Sequence, residues 1–134
     1  MGGLLLGKFG CTRYQRDEYL KVEIEIRDAL KRALNTTIYG TESVRNKDSF
    51  GDMDLLVFRS ENLKDTNFIK SALSYINGIV IESLHLNGNV LSFAYQPTWK
   101  SEEEKLQIDL ILVEPQNWET SKVFFNYGEL GNVS

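Results

Sequence analysis

The stretch Ser49-Phe50-Gly51-Asp52-Met53-Asp54-Leu55-Leu56-Val57-Phe58 constrains this chain more than any other. Met53 and Leu55 to Phe58 read as a strand with apolar side chains on both faces, a segment built to be buried. Asp52 and Asp54 enter that segment and project to one face, because side chains alternate along a strand. A charge beside an apolar core is costly unless something pairs with it. The two carboxylates therefore have a cation between them, share a proton, or stand in solvent.

A second strand repeats the pattern. Gln107-Ile108-Asp109-Leu110-Ile111-Leu112-Val113 carries Asp109 among apolar residues, and Pro115 ends it. If the two strands are neighbours, three carboxylates converge. Hard divalent cations take oxygen ligands, and two such ions about 3.5–4 Å apart can stabilise both the attacking and the leaving oxygen of a phosphoryl displacement. Asp-x-Asp alone is commonly a solvated strand end, and Asp109 alone can be a paired structural acid, so the residues by themselves leave both readings open.

The remaining segments form a scaffold for these strands. Arg16 to Leu34 reads as a helix, with Tyr19, Val22, Ile26, Ala29 or Leu30, and Ala33 recurring at spacings of three and four. Lys21 to Ile26 also alternates, so a strand competes locally. Thr37-Ile38-Tyr39 reads as a short strand ending at Gly40, followed by a polar loop from Thr41 to Gly51. Asp65 or Thr66 starts a helix through Tyr75. Ile79 to Leu86 and Val90 to Tyr95 flank Asn87-Gly88 and predict a hairpin with that two-residue turn. Ser101 to Lys105 is a charged turn, and Trp118 to Asn126 a short helix.

The loop before Asp52 has phosphate-binding chemistry. Gly40 permits close backbone approach to a ligand, loop N–H groups with the Thr41 or Ser43 hydroxyl can hold phosphate oxygens, and Arg45 adds positive charge. Lys47 reads as solvated. His85, the only histidine, sits between two leucines and reads as structural, which argues against histidine-based hydrolysis. Trp99, Trp118 and Tyr95 read as core or hairpin packing.

Composition narrows the classes. The 134 residues suffice for one domain, and Lys and Arg number 15 against 19 Asp and Glu, for a net charge of −4. A broad basic surface for nucleic acid is not evident. One cysteine excludes an intramolecular disulfide and fits a reducing compartment, so the expectation is cytoplasmic. The apolar run after Met1 is too short to span a bilayer and lacks the basic start of a signal peptide, so no membrane role is expected.

The order of an apolar residue, Gly, a hydroxyl residue, Asp-apolar-Asp and a third Asp on a later strand resembles the polymerase beta-type nucleotidyltransferases, most closely the palm of family X DNA polymerases. Gly51 to Asp54 resembles the heart of their motif. Phe125-Asn126-Tyr127-Gly128 is similar to the segment that floors the sugar of the incoming nucleotide. Gln107 stands where those polymerases often have an arginine, and Asn126 and Tyr127 also differ.

The resemblance implies an α+β fold, a mixed sheet with three acids on one side and helices on the other, over a single palm-like domain from residue 1 to 134. It implies transfer of a nucleoside monophosphate from an NTP or dNTP to an acceptor hydroxyl, most readily a nucleic acid 3′ end, with Mg²⁺ or Mn²⁺ as cofactor. Asp52 and Asp54 would bind the nucleotide's metal and share the catalytic one. Asp109 would bind the catalytic metal and favour deprotonation of the acceptor. Gly40, Thr41, Ser43, Arg45 and Gly51 would contact the nucleotide, with Phe125 and Asn126 near its sugar and base. The thumb and DNA-binding module of that family have no counterpart here, so the expectation is a minimal palm or one part of a longer protein, its thumb supplied by another domain or partner. The alternative is a non-catalytic nucleotide- or metal-binding domain serving assembly or regulation, or a transferase acting on a small molecule or protein.

Overall fold

A computed structural model describes residues 9–40 and 49–129, with side chains described to 123. The chain runs β1 (Tyr14–Gln15), α1 (Arg16–Leu34), β2 (Ile38–Gly40), β3 (Ser49–Phe50), β4 (Asp52–Phe58), α2 (Thr66–Leu73), β5 (Ile79–Asn87), β6 (Val90–Tyr95), β7 (Leu106–Val113) and α3 (Trp118–Glu129). Short 3₁₀ turns precede α2 and α3.

The competition over Lys21 to Ile26 resolves as helix. Tyr19, Val22, Glu23, Ile26, Leu30 and Leu34 of α1 are buried, a stripe at helical spacing. The strand reading would also have buried Ile24, which is 67% exposed. The Gln15 N–H donates to Glu18 Oε1 at 2.9 Å at the start of the helix. Asn35 takes the left-handed conformation at its end, φ 53°.

Five strands form a mixed sheet in the order β2-β4-β7-β6-β5. β4 and β7 are parallel, and the other pairs antiparallel. Met53, Leu55 and Val57 of β4, and Ile108, Leu110 and Leu112 of β7, join Val22, Ile26 and Leu30 of α1 and Ile69 and Leu73 of α2 in the main core. The acids stand on the other face by alternation. That face also carries Leu56 and Val113, which pack under Trp118 at the start of α3. Trp118 meets Phe58 edge-on, ring centroids 5.4 Å apart.

Three local features differ from expectation. The polar loop before Asp52 ends in a strand: β3 pairs with β1 as a two-residue ribbon, Tyr14 opposite Phe50 and Gln15 opposite Ser49. The hairpin turn is one residue later than Asn87-Gly88, because Asn87 pairs with Val90 and leaves Gly88-Asn89 as the central residues. Gly88 takes φ +65°, and the first central position is where a type II′ turn wants glycine. The β5–β6 ladder is also interrupted between Val80 and His85. There the buried Ser83 hydroxyl donates to the Val80 carbonyl at 2.6 Å and accepts from the Ala94 N–H at 2.8 Å.

Candidate metal centre

The parallel register of β4 and β7 sets the acids against one another. Asp54 lies directly opposite Asp109, and Asp52 opposite Gln107. One oxygen from each of Asp52, Asp54 and Asp109 lies within 4.8 Å of the others. Asp52 and Asp54 are partly exposed, and Asp109 lies at the edge of burial. Like charges directly opposite on a sheet are destabilising, so the cluster has a reason to attract a cation.

Asp109 is held from two sides. The Ser92 hydroxyl, opposite it on β6, donates to Oδ1 at 2.7 Å. Gln107 Nε2 donates to the same oxygen at 3.0 Å. Gln107 is 1% exposed, and its Oε1 is buried with no hydrogen-bond partner among the described residues. The amide orientation follows from chemistry, since a carboxylate accepts and must face the NH₂. An unpartnered buried acceptor costs about 1–3 kcal/mol. The same row continues across the sheet through Ser92 to His85, which is exposed on the edge strand β5.

The donor set fits a hard cation. Ligands cis to one another on an octahedral ion at about 2.1 Å stand about 3 Å apart, so small carboxylate rotations bring oxygens now within 4.8 Å onto shared ions.

Arg13, absent from the sequence reading, packs on the segment that leads into Asp52. Its Nε and Nη2 donate to the Ser49 hydroxyl and carbonyl, each at 3.1 Å. A Cβ on Gly51 would stand 3.1 Å from Arg13 Nη1. Gly51 thus makes room for the Arg13 guanidinium one residue before Asp52. No local pattern marks Arg13; only the β1–β3 pairing brings it there.

Gly40 has another explanation than close approach to a ligand. A Cβ there would stand 1.9 Å from Glu23 Oε2 and 3.0 Å from Arg27 Nη1, on the α1 side of the sheet. Glu23 is buried and pairs with Arg27 at 3.5 Å. Thr41, Ser43, Arg45 and Lys47 fall outside the described residues. Phe125 and Asn126 lie in the later turns of α3, with their side chains outside those described.

No helix among the described residues is long and apolar enough to cross a membrane. No protein-family model matches the chain, and no curated protein matches it. Solved structures do. Leishmania infantum polymerase beta in a ternary P/T complex superposes with a TM-score of 0.62 at 15% identity, over 88% of this chain and 49% of that one. The same polymerase in a ternary gap complex gives 0.59 at 16% identity, over 85% and 42%. This chain therefore spans about half the length of those polymerases or less. Its mixed sheet and helices have a polymerase beta-like fold, with three clustered acids on one face of that sheet.

Proposed function

We propose that this chain is a nucleotidyltransferase of the palm type, moving a nucleoside monophosphate from an NTP or dNTP to an acceptor hydroxyl. The observation that carries the reading is the convergence of Asp52, Asp54 and Asp109, with oxygens within 4.8 Å, on a polymerase beta-like sheet. Bound Mg²⁺ or Mn²⁺ would supply charge for the triphosphate and for the attacking and leaving oxygens.

In the reaction, the acceptor oxygen forms a bond to the α-phosphorus. The bond from that phosphorus to the oxygen bridging to the β-phosphate breaks, and pyrophosphate leaves with the electron pair. Asp109 favours release of the acceptor proton, which passes to solvent water, and Asp52 and Asp54 hold the nucleotide end of the site. Arg13, Arg45, Thr41, Ser43 and Gly51 are the triphosphate's partners, with Phe125 and Asn126 at the sugar. The acceptor is most readily a nucleic acid 3′ end. With 15 basic against 19 acidic residues, the chain grips that acceptor through few phosphates, and a domain or partner that supplies a basic surface would tighten the grip.

The test is incubation with labelled NTPs and dNTPs, Mg²⁺ or Mn²⁺, and a panel of DNA, RNA, small-molecule and protein acceptors. The wild type is expected to label an acceptor. Asp109→Ala is expected to bind nucleotide and transfer none. Binding of metal and nucleotide without transfer to any acceptor would move the reading to a non-catalytic nucleotide-binding role.

A further inference from the structure

On the reading of the three acids as a metal site, the presentation of Asp109 decides which cation fits. Both donors on this residue converge on a single oxygen, Oδ1: the Ser92 hydroxyl at 2.7 Å and Gln107 Nε2 at 3.0 Å. A carboxylate oxygen has two lone-pair sites, so Oδ1 is filled and Oδ2 is the oxygen left for a cation. Both donors are neutral. They orient the carboxylate without cancelling its charge, as a lysine or arginine in either place would. Both are also buried, Ser92 at 5% and Gln107 at 1% exposed, so packing fixes their rotamers.

We propose that Ser92 and Gln107 are positioning residues that make Asp109 a one-oxygen ligand through Oδ2, and so select small octahedral cations of the Mg²⁺ and Mn²⁺ class over Ca²⁺. Ca²⁺ takes six to eight oxygens and often chelates a carboxylate through both of them. With Oδ1 occupied by two hydrogen bonds, Asp109 cannot chelate. The unpartnered Oε1 of Gln107 supports the same view. Stability alone favours an apolar side chain of the same length there, whereas only the amide's NH₂ end holds Asp109.

Outer hydrogen-bond partners of metal ligands typically set metal affinity by 10–100-fold. The test is a Mn²⁺ titration of the whole 134-residue chain by electron paramagnetic resonance, without nucleotide, with Mg²⁺ and Ca²⁺ as competitors. Ser92→Ala and Gln107→Met are each expected to weaken Mn²⁺ about tenfold or more, and the double variant to lose most of the preference for Mg²⁺ over Ca²⁺. Ser92→Thr, which keeps the hydroxyl, is expected to restore wild-type binding. Melting in EDTA separates this from a structural role: Gln107→Met is expected to melt at or above the wild-type temperature while binding Mn²⁺ less well. Variants that bind Mn²⁺ as the wild type does, with wild-type discrimination against Ca²⁺, overturn the positioning role and leave the metal site standing. If Gln107→Met does not fold, Ser92→Ala with its Ser92→Thr control decides. Failure of the wild type to bind Mn²⁺ at all overturns the metal site, and the positioning role with it.

Discussion

Replacing Asp109 by Asn tests whether the three acids repel one another in the folded chain. The substitution keeps an oxygen at Oδ1, so the bonds from Ser92 at 2.7 Å and Gln107 at 3.0 Å persist. It removes one charge from a cluster whose oxygens lie within 4.8 Å. At that separation each like-charge pair costs about 1 kcal/mol with the dielectric of water and about 3.5 kcal/mol at an effective value of 20. Asp109 faces two partners, so the relief lies between roughly 2 and 7 kcal/mol. Against this, two hydrogen bonds lose their charged acceptor, a loss of about 1 kcal/mol each. Asp109 lies at the edge of burial, which places the relief near the middle of that range, at about 4 kcal/mol, and the net stabilisation at about 2 kcal/mol.

For a domain of this size, 1 kcal/mol corresponds to about 3–5 °C in Tm. Asp109→Asn in EDTA is therefore expected to melt roughly 5–10 °C above the wild type. Mg²⁺ should reverse the ranking. A ligand at 100 times its Kd stabilises the state that binds it by about 2.7 kcal/mol, a gain open to the wild type and largely closed to the variant. Differential scanning calorimetry with and without Mg²⁺ reads both effects. A variant that melts lower than the wild type in EDTA would show that the charge on Asp109 is already balanced within the fold.

Two further outcomes follow from the scaffold. Gly40→Ala places a Cβ 1.9 Å from Glu23 Oε2, and because Glu23 is buried the expected loss is about 1–3 kcal/mol in urea denaturation, relieved when Glu23→Ala is added. Burial pushes the Cys11 thiol up to about 11 from its ordinary 9.0, against the opposing pull of Lys105; since the folded value is raised, its contribution is fully present below pH 9 and is lost as pH rises toward 11. Cys11→Ala is accordingly expected to flatten the fall in stability over that window, and native Cys11 to react slowly with a thiol reagent at pH 8 and rapidly once the chain is unfolded.

What the sequence displays and what it conceals divides along physical lines. Asp52, Asp54 and Asp109 are legible because an acid in an apolar strand violates a local rule. Their mutual approach is not, since it depends on a parallel pairing that sets Asp54 opposite Asp109 across an intervening helix and hairpin. α1 is legible from its three-four stripe despite the alternation around Ile24, because a stripe that runs through a 19-residue helix outweighs an alternation of six consecutive residues. β1 and β3 are too short, at two residues each, to show any period, and Arg13 is hidden with them. Glycines are the hardest to read. Gly40 and Gly51 both sit near the acids in sequence and both suggest room for a ligand. Gly51 leaves room for Arg13, and Gly40 for Glu23, and in each case the occupant comes from far along the chain.

The division of the acid-bearing face has the same origin. Its far end carries Leu56, Phe58 and Val113, which need cover and receive it from Trp118. Its near end carries Asp52, Asp54 and Asp109, which no apolar helix can cover without the cost of burying charge. One face of one sheet is thus apolar where α3 begins and polar where chemistry is possible. The changeover falls between Asp54 and Leu56 on β4 and between Asp109 and Ile111 on β7, two residue pairs held side by side by the register. A shift of that register by one residue would turn one strand's acids into the core under α1, so the packing of Met53, Leu55, Ile108 and Leu110 against the helix is also what keeps the three carboxylates together.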